Sequence, residues 1–254
     1  MQDYDETYFL KNSTKESYLF FKNEKTNKLA VIFTGATSFI KFDFYKTFGP
    51  KNKFNFSSLF FCDIQGSHYI NGIPKYSSNI KETCSKLEQL INFHQYKEIF
   101  FIGTSMGGFG AIAHSLNMNS LQNVNKIKVI VFNPITYISK RIILNMVKRY
   151  GIDKIFYAQQ RGITYEKSLE LLLNLKKEYK DIETIVSNYK YDKNYKLEIY
   201  IVHSKNIKEQ ARIKRIKKFK NIIYYPFNID KHNIAGELSK QNKLIALLEE
   251  IINK

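Results

Sequence analysis

The run from Glu98 to Ala111, Glu-Ile-Phe-Phe-Ile-Gly-Thr-Ser-Met-Gly-Gly-Phe-Gly-Ala, constrains the fold of this chain more than any other stretch. Its first five residues are mostly β-branched and aromatic, which reads as a buried strand. Gly103-Thr104-Ser105-Met106-Gly107 follows without a spacer, and Gly108-Phe109-Gly110-Ala111 opens a helix with small residues that sit close to a sheet. The pattern is strand, sharp turn, helix, with a serine at the apex. Such a turn projects the serine oxygen out of the backbone. It forces strained dihedrals on the serine, and glycines two residues before and after leave room for the crossing chain. The Met106 N–H then lies at a helix N-terminus beside the serine oxygen, where it can stabilise the oxyanion of an acyl-transfer intermediate. A Gly-x-Ser-x-Gly string is common by chance; here it has the required context on both sides.

The rest of the chain supplies strands and helices in alternation. Tyr18–Phe21 and Leu29–Phe33 read as strands, with polar Lys22–Lys28 between them as a hairpin loop. The second ends in Thr34-Gly35-Ala36-Thr37-Ser38. Ser58–Asp63, Lys128–Phe132, Leu197–Val202 and Asn221–Pro226 are further strands, and Asn133-Pro134 stops the fourth of these six. Ile80–Phe93 has a helical period and fits a crossover helix feeding the serine turn. Phe39–Phe48 is aromatic at mixed spacing and reads as packing over the sheet. Lys205–Lys220 reads as a basic amphipathic helix with Ile207, Ala211 and Phe219 inward and its lysines and arginines outward. Leu244–Ile252 marks a terminal helix.

Serine at neutral pH needs a general base. His232, in the loop after the last strand, is the candidate; His94 and His114 fall in helices around the serine turn, and His203 ends a strand. The serine turn resembles that of the α/β-hydrolase superfamily, and that resemblance implies an acid shortly after the strand ending at Val202. That segment, His203-Ser204-Lys205-Asn206-Ile207-Lys208-Glu209, holds no aspartate. Glu209 is its only carboxylate and is our first choice. Asn206 and Asp230 are the alternatives.

The serine turn, Gly35 after an early strand and the late histidine together resemble the α/β-hydrolase superfamily, over most of the chain from Leu29 onward. The resemblance implies one domain over residues 1–254, with a mostly parallel sheet flanked by helices and a helical cap inserted at residues 138–193. It implies Ser105 as nucleophile, His232 as base, Glu209 as acid, and backbone N–H groups of Met106 and of Gly35 or Ala36 as oxyanion donors. The chain also resembles the subset of that superfamily related to bacterial capsule polysaccharide O-acetyltransferases. The marks are Cys62-Asp63, the Tyr69-Ile70-Asn71-Gly72-Ile73 loop, the Gly-Thr-Ser-Met-Gly-Gly turn, Asn133-Pro134 and the basic helix before His232. That likeness implies acetyl coenzyme A as an acyl donor and a sugar hydroxyl as acceptor. The same residues would serve a plain esterase or thioesterase; a non-catalytic accessory protein of polysaccharide synthesis would keep the fold, bind polymer and leave Ser105 unreactive.

Composition narrows the partners. The 254 residues are 44% hydrophobic, enough for one α/β core. No apolar run reaches 18 residues, and the acidic start Met1-Gln2-Asp3-Tyr4-Asp5-Glu6 is not a signal peptide, so a cytoplasmic protein is expected. Cys62 and Cys84 form no disulfide framework or metal motif. A net charge of +17 favours polyanions such as an acidic glycan, a nucleotide-bearing donor or an anionic membrane face. No nucleic-acid recognition motif accompanies it.

Overall fold

The computed structural model describes residues 17–35, 42–49, 52–63, 67–137, 181–187, 189, 194–214, 216–217, 219 and 221–254. The expected cap, residues 138–193, lies almost wholly outside them.

Seven strands form one sheet: β1 (Tyr18–Phe21), β2 (Lys28–Phe33), β3 (Ser57–Phe61), β4 (Glu98–Thr104), β5 (Lys126–Phe132), β6 (Lys196–Ser204) and β7 (Ile222–Phe227). Their spatial order is β1-β3-β2-β4-β5-β6-β7. Every pairing is parallel except β1 with β3. The expected hairpin is therefore corrected. β1 and β2 are not neighbours, because β3 lies between them and takes β1 as an antiparallel edge. The inner strands are largely apolar, as a sheet covered on both faces requires, with Lys128 on β5 and Glu198 on β6 as charged exceptions.

Seven described helices cover the sheet: α1 (Phe42–Phe48), α2 (Ile80–Phe93), α3 (Met106–Leu116), α4 (Ile182–Ser187), α5 (Ile207–Lys214), α6 (Ile234–Lys240) and α7 (Leu244–Asn253). Strand alternation sorts the core into two layers. Val31, Phe33, Phe101, Val129 and Ile201 meet α2, α3 and α4 on one face. Ile32, Phe100, Ile102, Ile130 and Tyr200 meet α1, α6 and α7 on the other. α2 begins at Asn79, whose side chain accepts from the Glu82 N–H, and it buries Cys84, Leu87 and Ile91. On the second face the buried Lys128 ammonium donates to the carbonyls of Ile251 (2.6 Å) and Ile252 (2.9 Å), satisfying the last turn of α7.

The basic helix is shorter than its charge pattern predicts. α5 ends at Lys214, Ile213 and Ile216 are buried, and Ile207 is 84% exposed rather than inward. α6, directly after His232, carries no signal strong enough to separate it from a loop in the sequence: it is seven residues long and contains Gly236.

Candidate active site

The sheet order sets where chemistry can happen. From β2 the chain moves outward to β3, then returns past β2 to β4. The C-terminal ends of β2 and β4 thus diverge at a topological switch point, the usual place for a ligand crevice in an open parallel sheet. Gly35 follows β2 and Ser105 follows β4.

Ser105 has φ 52° and ψ −114°, a left-handed conformation that costs about 1–3 kcal/mol for a non-glycine residue. Its surroundings hold it there. Its N–H donates to Phe132 O (2.9 Å), and its carbonyl accepts from Gly108 (3.1 Å), Phe109 (3.3 Å) and Ile135 (3.0 Å). Two flanking glycines are steric necessities: a Cβ on Gly103 would overlap the Gly107 carbonyl, and one on Gly107 would overlap the Phe33 carbonyl.

The structure brings the three candidate side chains into one line. The Ser105 hydroxyl lies 2.7 Å from His232 Nε2. His232 Nδ1 lies 3.0 Å from Glu209 Oε1. A carboxylate only accepts, so Nδ1 carries the imidazole proton and Nε2 is free to accept from the serine. Burial pushes the Glu209 carboxyl up. The hydrogen bond from His232 and the charge of Arg212 outweigh that and hold it below the usual carboxylate range. Arg212 Nη1 donates to both carboxylate oxygens, at 2.8 and 3.0 Å. The alternatives stand elsewhere: the Asn206 amide donates to Asp230 (2.6 Å), and no hydrogen bond joins either residue to His232.

Two backbone donors flank Ser105. Met106 is the first residue of α3, so its N–H is among those a helix leaves without an internal partner. At Thr34, the N–H donates to Phe61 O (3.1 Å) and the carbonyl accepts from the Tyr69 hydroxyl (2.8 Å). Gly35 follows and lies against Thr104, the residue before Ser105: a Cβ on it would sit 3.1 Å from the Thr104 hydroxyl. Among the described residues the Gly35 N–H has no hydrogen-bond partner. Ala36 lies outside the described residues. A cavity of about 60 Å³ adjoins this region, lined by Phe44, Phe48, Thr104, Asn233 and Gly236 among others.

Two contributors escape sequence reading. Tyr69 reads only as part of a loop, yet it is fully buried and its hydroxyl donates to the Thr34 carbonyl. Its only signal is Asp63, six residues earlier, which accepts its N–H at 2.9 Å. Arg212 reads as one of many surface cations. Its signal is the i, i+3 spacing from Glu209 on one helix.

A parallel sheet with a strained serine turn after β4 and a histidine after the last strand defines the α/β-hydrolase fold. No protein-family model matches the chain, and no curated protein matches it. Solved structures do match. A lipase-esterase related protein from Clostridium acetobutylicum is 15% identical at a TM-score of 0.57, over 92% of this chain and 98% of that one. A structure from work on carboxylesterases of the thaumarchaeon Nitrososphaera gargenis is 11% identical at 0.56, over 93% and 94%. The capsule O-acetyltransferase of Neisseria meningitidis serogroup A is 15% identical at 0.54, over 93% and 88%. These likenesses show the fold.

Proposed function

We propose that this chain is a serine-dependent acyl-transfer enzyme, with Ser105 as nucleophile, His232 as general base and Glu209 as the acid that orients it. The observation that carries the reading is the continuous line Ser105 Oγ, His232, Glu209, at 2.7 and 3.0 Å. In the first step the Ser105 oxygen bonds to an acyl carbonyl carbon while its proton passes to His232 Nε2. The carbonyl oxygen becomes an oxyanion facing the N–H groups of Met106 and of Gly35 or Ala36. Collapse of the intermediate expels the leaving group, which takes the proton from His232. In the second step His232 removes a proton from the acceptor hydroxyl, whose oxygen bonds to the acyl carbon; the bond to Ser105 Oγ breaks, and that oxygen takes the proton back from His232.

The acyl group in this reading is acetyl, delivered by acetyl coenzyme A to a hydroxyl of a bacterial surface polysaccharide in the cytoplasm. Likeness to a capsule O-acetyltransferase supports it. So does charge: Lys205, Lys208, Lys214 and Lys217 are exposed around the helix that carries Glu209 and have no ion pair among the described residues, which favours an anionic substrate. The same face suits peripheral association with an anionic membrane; among the described residues no helix is long and apolar enough to cross one. A second reading, a plain esterase or thioesterase, is favoured by the His232 side chain, 46% exposed and open to water.

Intact-mass spectrometry after incubation with acetyl coenzyme A and an acidic glycan tests the choice. Transfer requires acetylation of Ser105 that discharges onto the glycan and is absent in Ser105→Ala. Hydrolysis of simple esters with no product from the glycan would select the esterase. Neither reaction would reject both.

A further inference from the structure

The line Ser105, His232, Glu209 depends on three separate chain segments meeting, and one buried side chain touches two of them. Asn133 follows β5 and is 1% exposed, with φ 41°. Its N–H donates to Val202 O (2.9 Å), which docks it on β6. Its side-chain oxygen accepts from the Ser204 N–H (2.9 Å), at the end of β6 and five residues before Glu209. Its side-chain nitrogen donates to the carbonyl of His232 (2.7 Å) and to that of Lys231 (3.3 Å). Two residues on, the Ile135 N–H donates to the Ser105 carbonyl (3.0 Å). The segment 133–135 therefore holds the main chain of the base, the strand leading to the acid and the main chain of the nucleophile.

We propose that Asn133 is a positioning residue for the catalytic base, acting through the His232 main chain to keep the imidazole between Ser105 and Glu209. The proposal rests on the acyl-transfer reading above. The chemistry is specific to a short carboxamide. The site needs one acceptor for Ser204 and two donors for the loop carbonyls, and the asparagine amide supplies that set at this length. Aspartate has the same shape but would set a carboxylate oxygen against two carbonyl oxygens. Alanine would leave the buried Ser204 N–H without its acceptor and take away the side-chain donor that ties the His232 carbonyl to β5, leaving that carbonyl only the local Ile234 N–H (2.9 Å).

The test uses the full chain, with Asn133→Asp and Asn133→Ala beside wild type, Ser105→Ala and His232→Ala. Proton NMR reads the downfield imidazole N–H of the His232–Glu209 hydrogen bond, assigned by its loss in His232→Ala. Fluorophosphonate labelling, normalised to the number of sites that finally react, reads Ser105 reactivity. We expect folded Asn133→Asp to lose the resonance and to label ~10²-fold more slowly per site, the scale of a base misplaced by about an ångström. Asn133→Ala should show the same loss, and Ser105→Ala should keep the resonance. If a folded variant retains the resonance and the wild-type rate per site, the proposal is overturned. If both variants fail to fold, Asn133 is structural and the proposal is also overturned. If wild type shows the resonance but does not label, the acyl-transfer reading fails while the resonance alone still decides the role of Asn133.

Discussion

The nucleophile arm and the acid arm of this site are built by different means. Ser105 is held by main chain: four backbone hydrogen bonds fix it, and glycines stand where any Cβ would strike a neighbouring carbonyl. Glu209 is held by side chains: an imidazole from one loop and a guanidinium one helical turn away. The first arm lies at the centre of the sheet, where the residues of α3 are buried throughout. The second lies on a short helix with an exposed isoleucine and exposed lysines. Main-chain constraint gives rigidity that tolerates no substitution, whereas side-chain constraint gives an electrostatic setting that single changes can tune.

The sharpest way to break this contrast is to strike the nucleophile arm sterically. Gly107→Ala puts a methyl group against the Phe33 carbonyl, so the turn and β2 must separate. We expect a loss of about 4 kcal/mol or more, seen as insoluble expression or a collapsed thermal transition. A normally folded Gly107→Ala would contradict the account of the turn.

Next in size is Glu209→Gln, which keeps the shape and removes the charge. In the proposed reading Glu209 acts on chemistry rather than on folding, so turnover should fall ~10³- to 10⁴-fold. The circular dichroism spectrum and melting temperature should change little. A large loss of stability with modest loss of turnover would reverse the distinction between the arms.

Acid separates the arms in a third way. His114, fully buried on α3, donates through Nδ1 to Gly110 O (2.8 Å), and burial lowers its pKa to about 4. The unfolded chain binds a proton at that histidine near pH 6.5, whereas the folded chain does so only near 4. Between these values the unfolded state holds more protons, so stability is full above pH 6.5 and falls as pH drops toward 4, by up to about 3 kcal/mol. Denaturant titrations at pH 7.5 and 5 should show this slope, and His114→Phe should flatten it. An unchanged slope in the variant would assign the acid sensitivity to other groups.

The smallest expected effect is at Arg212, whose side chain is 38% exposed and therefore partly screened. Arg212→Ala removes a cation that holds the Glu209 carboxyl down. The acid limb of the pH–rate profile should move to higher pH, with a loss at neutral pH of about 10-fold or less. A limb that stays in place would mean that the His232 hydrogen bond alone sets Glu209.

The same contrast explains what the chain discloses before folding. The serine turn is legible because backbone crossing demands glycine at fixed positions, and that demand is written in consecutive letters. The parallel core is legible because strands covered on both faces must be apolar throughout, as Leu29–Phe33 and Lys128–Phe132 largely are. The place of β1 is not, since antiparallel pairing to β3 leaves no mark in Tyr18–Phe21 that differs from a hairpin. Among the acid candidates, Glu209 leads along the chain only as the one carboxylate in its segment, with Asn206 and Asp230 as alternatives. What separates them is where α5 starts. Asn206 lies just ahead of that helix, accepts from the Lys208 N–H (2.9 Å) and donates to Asp230, which leaves Glu209 facing the imidazole. Tyr69 and Asn133 act through main-chain carbonyls of distant segments, and such contacts have no local sequence signature.

The central claim is that Ser105 is chemically activated by His232. Intact-mass analysis after exposure to a fluorophosphonate probe addresses it directly. The account predicts one adduct on wild type, none on Ser105→Ala, and a slow adduct on His232→Ala. A well-folded wild type that takes no adduct would contradict it.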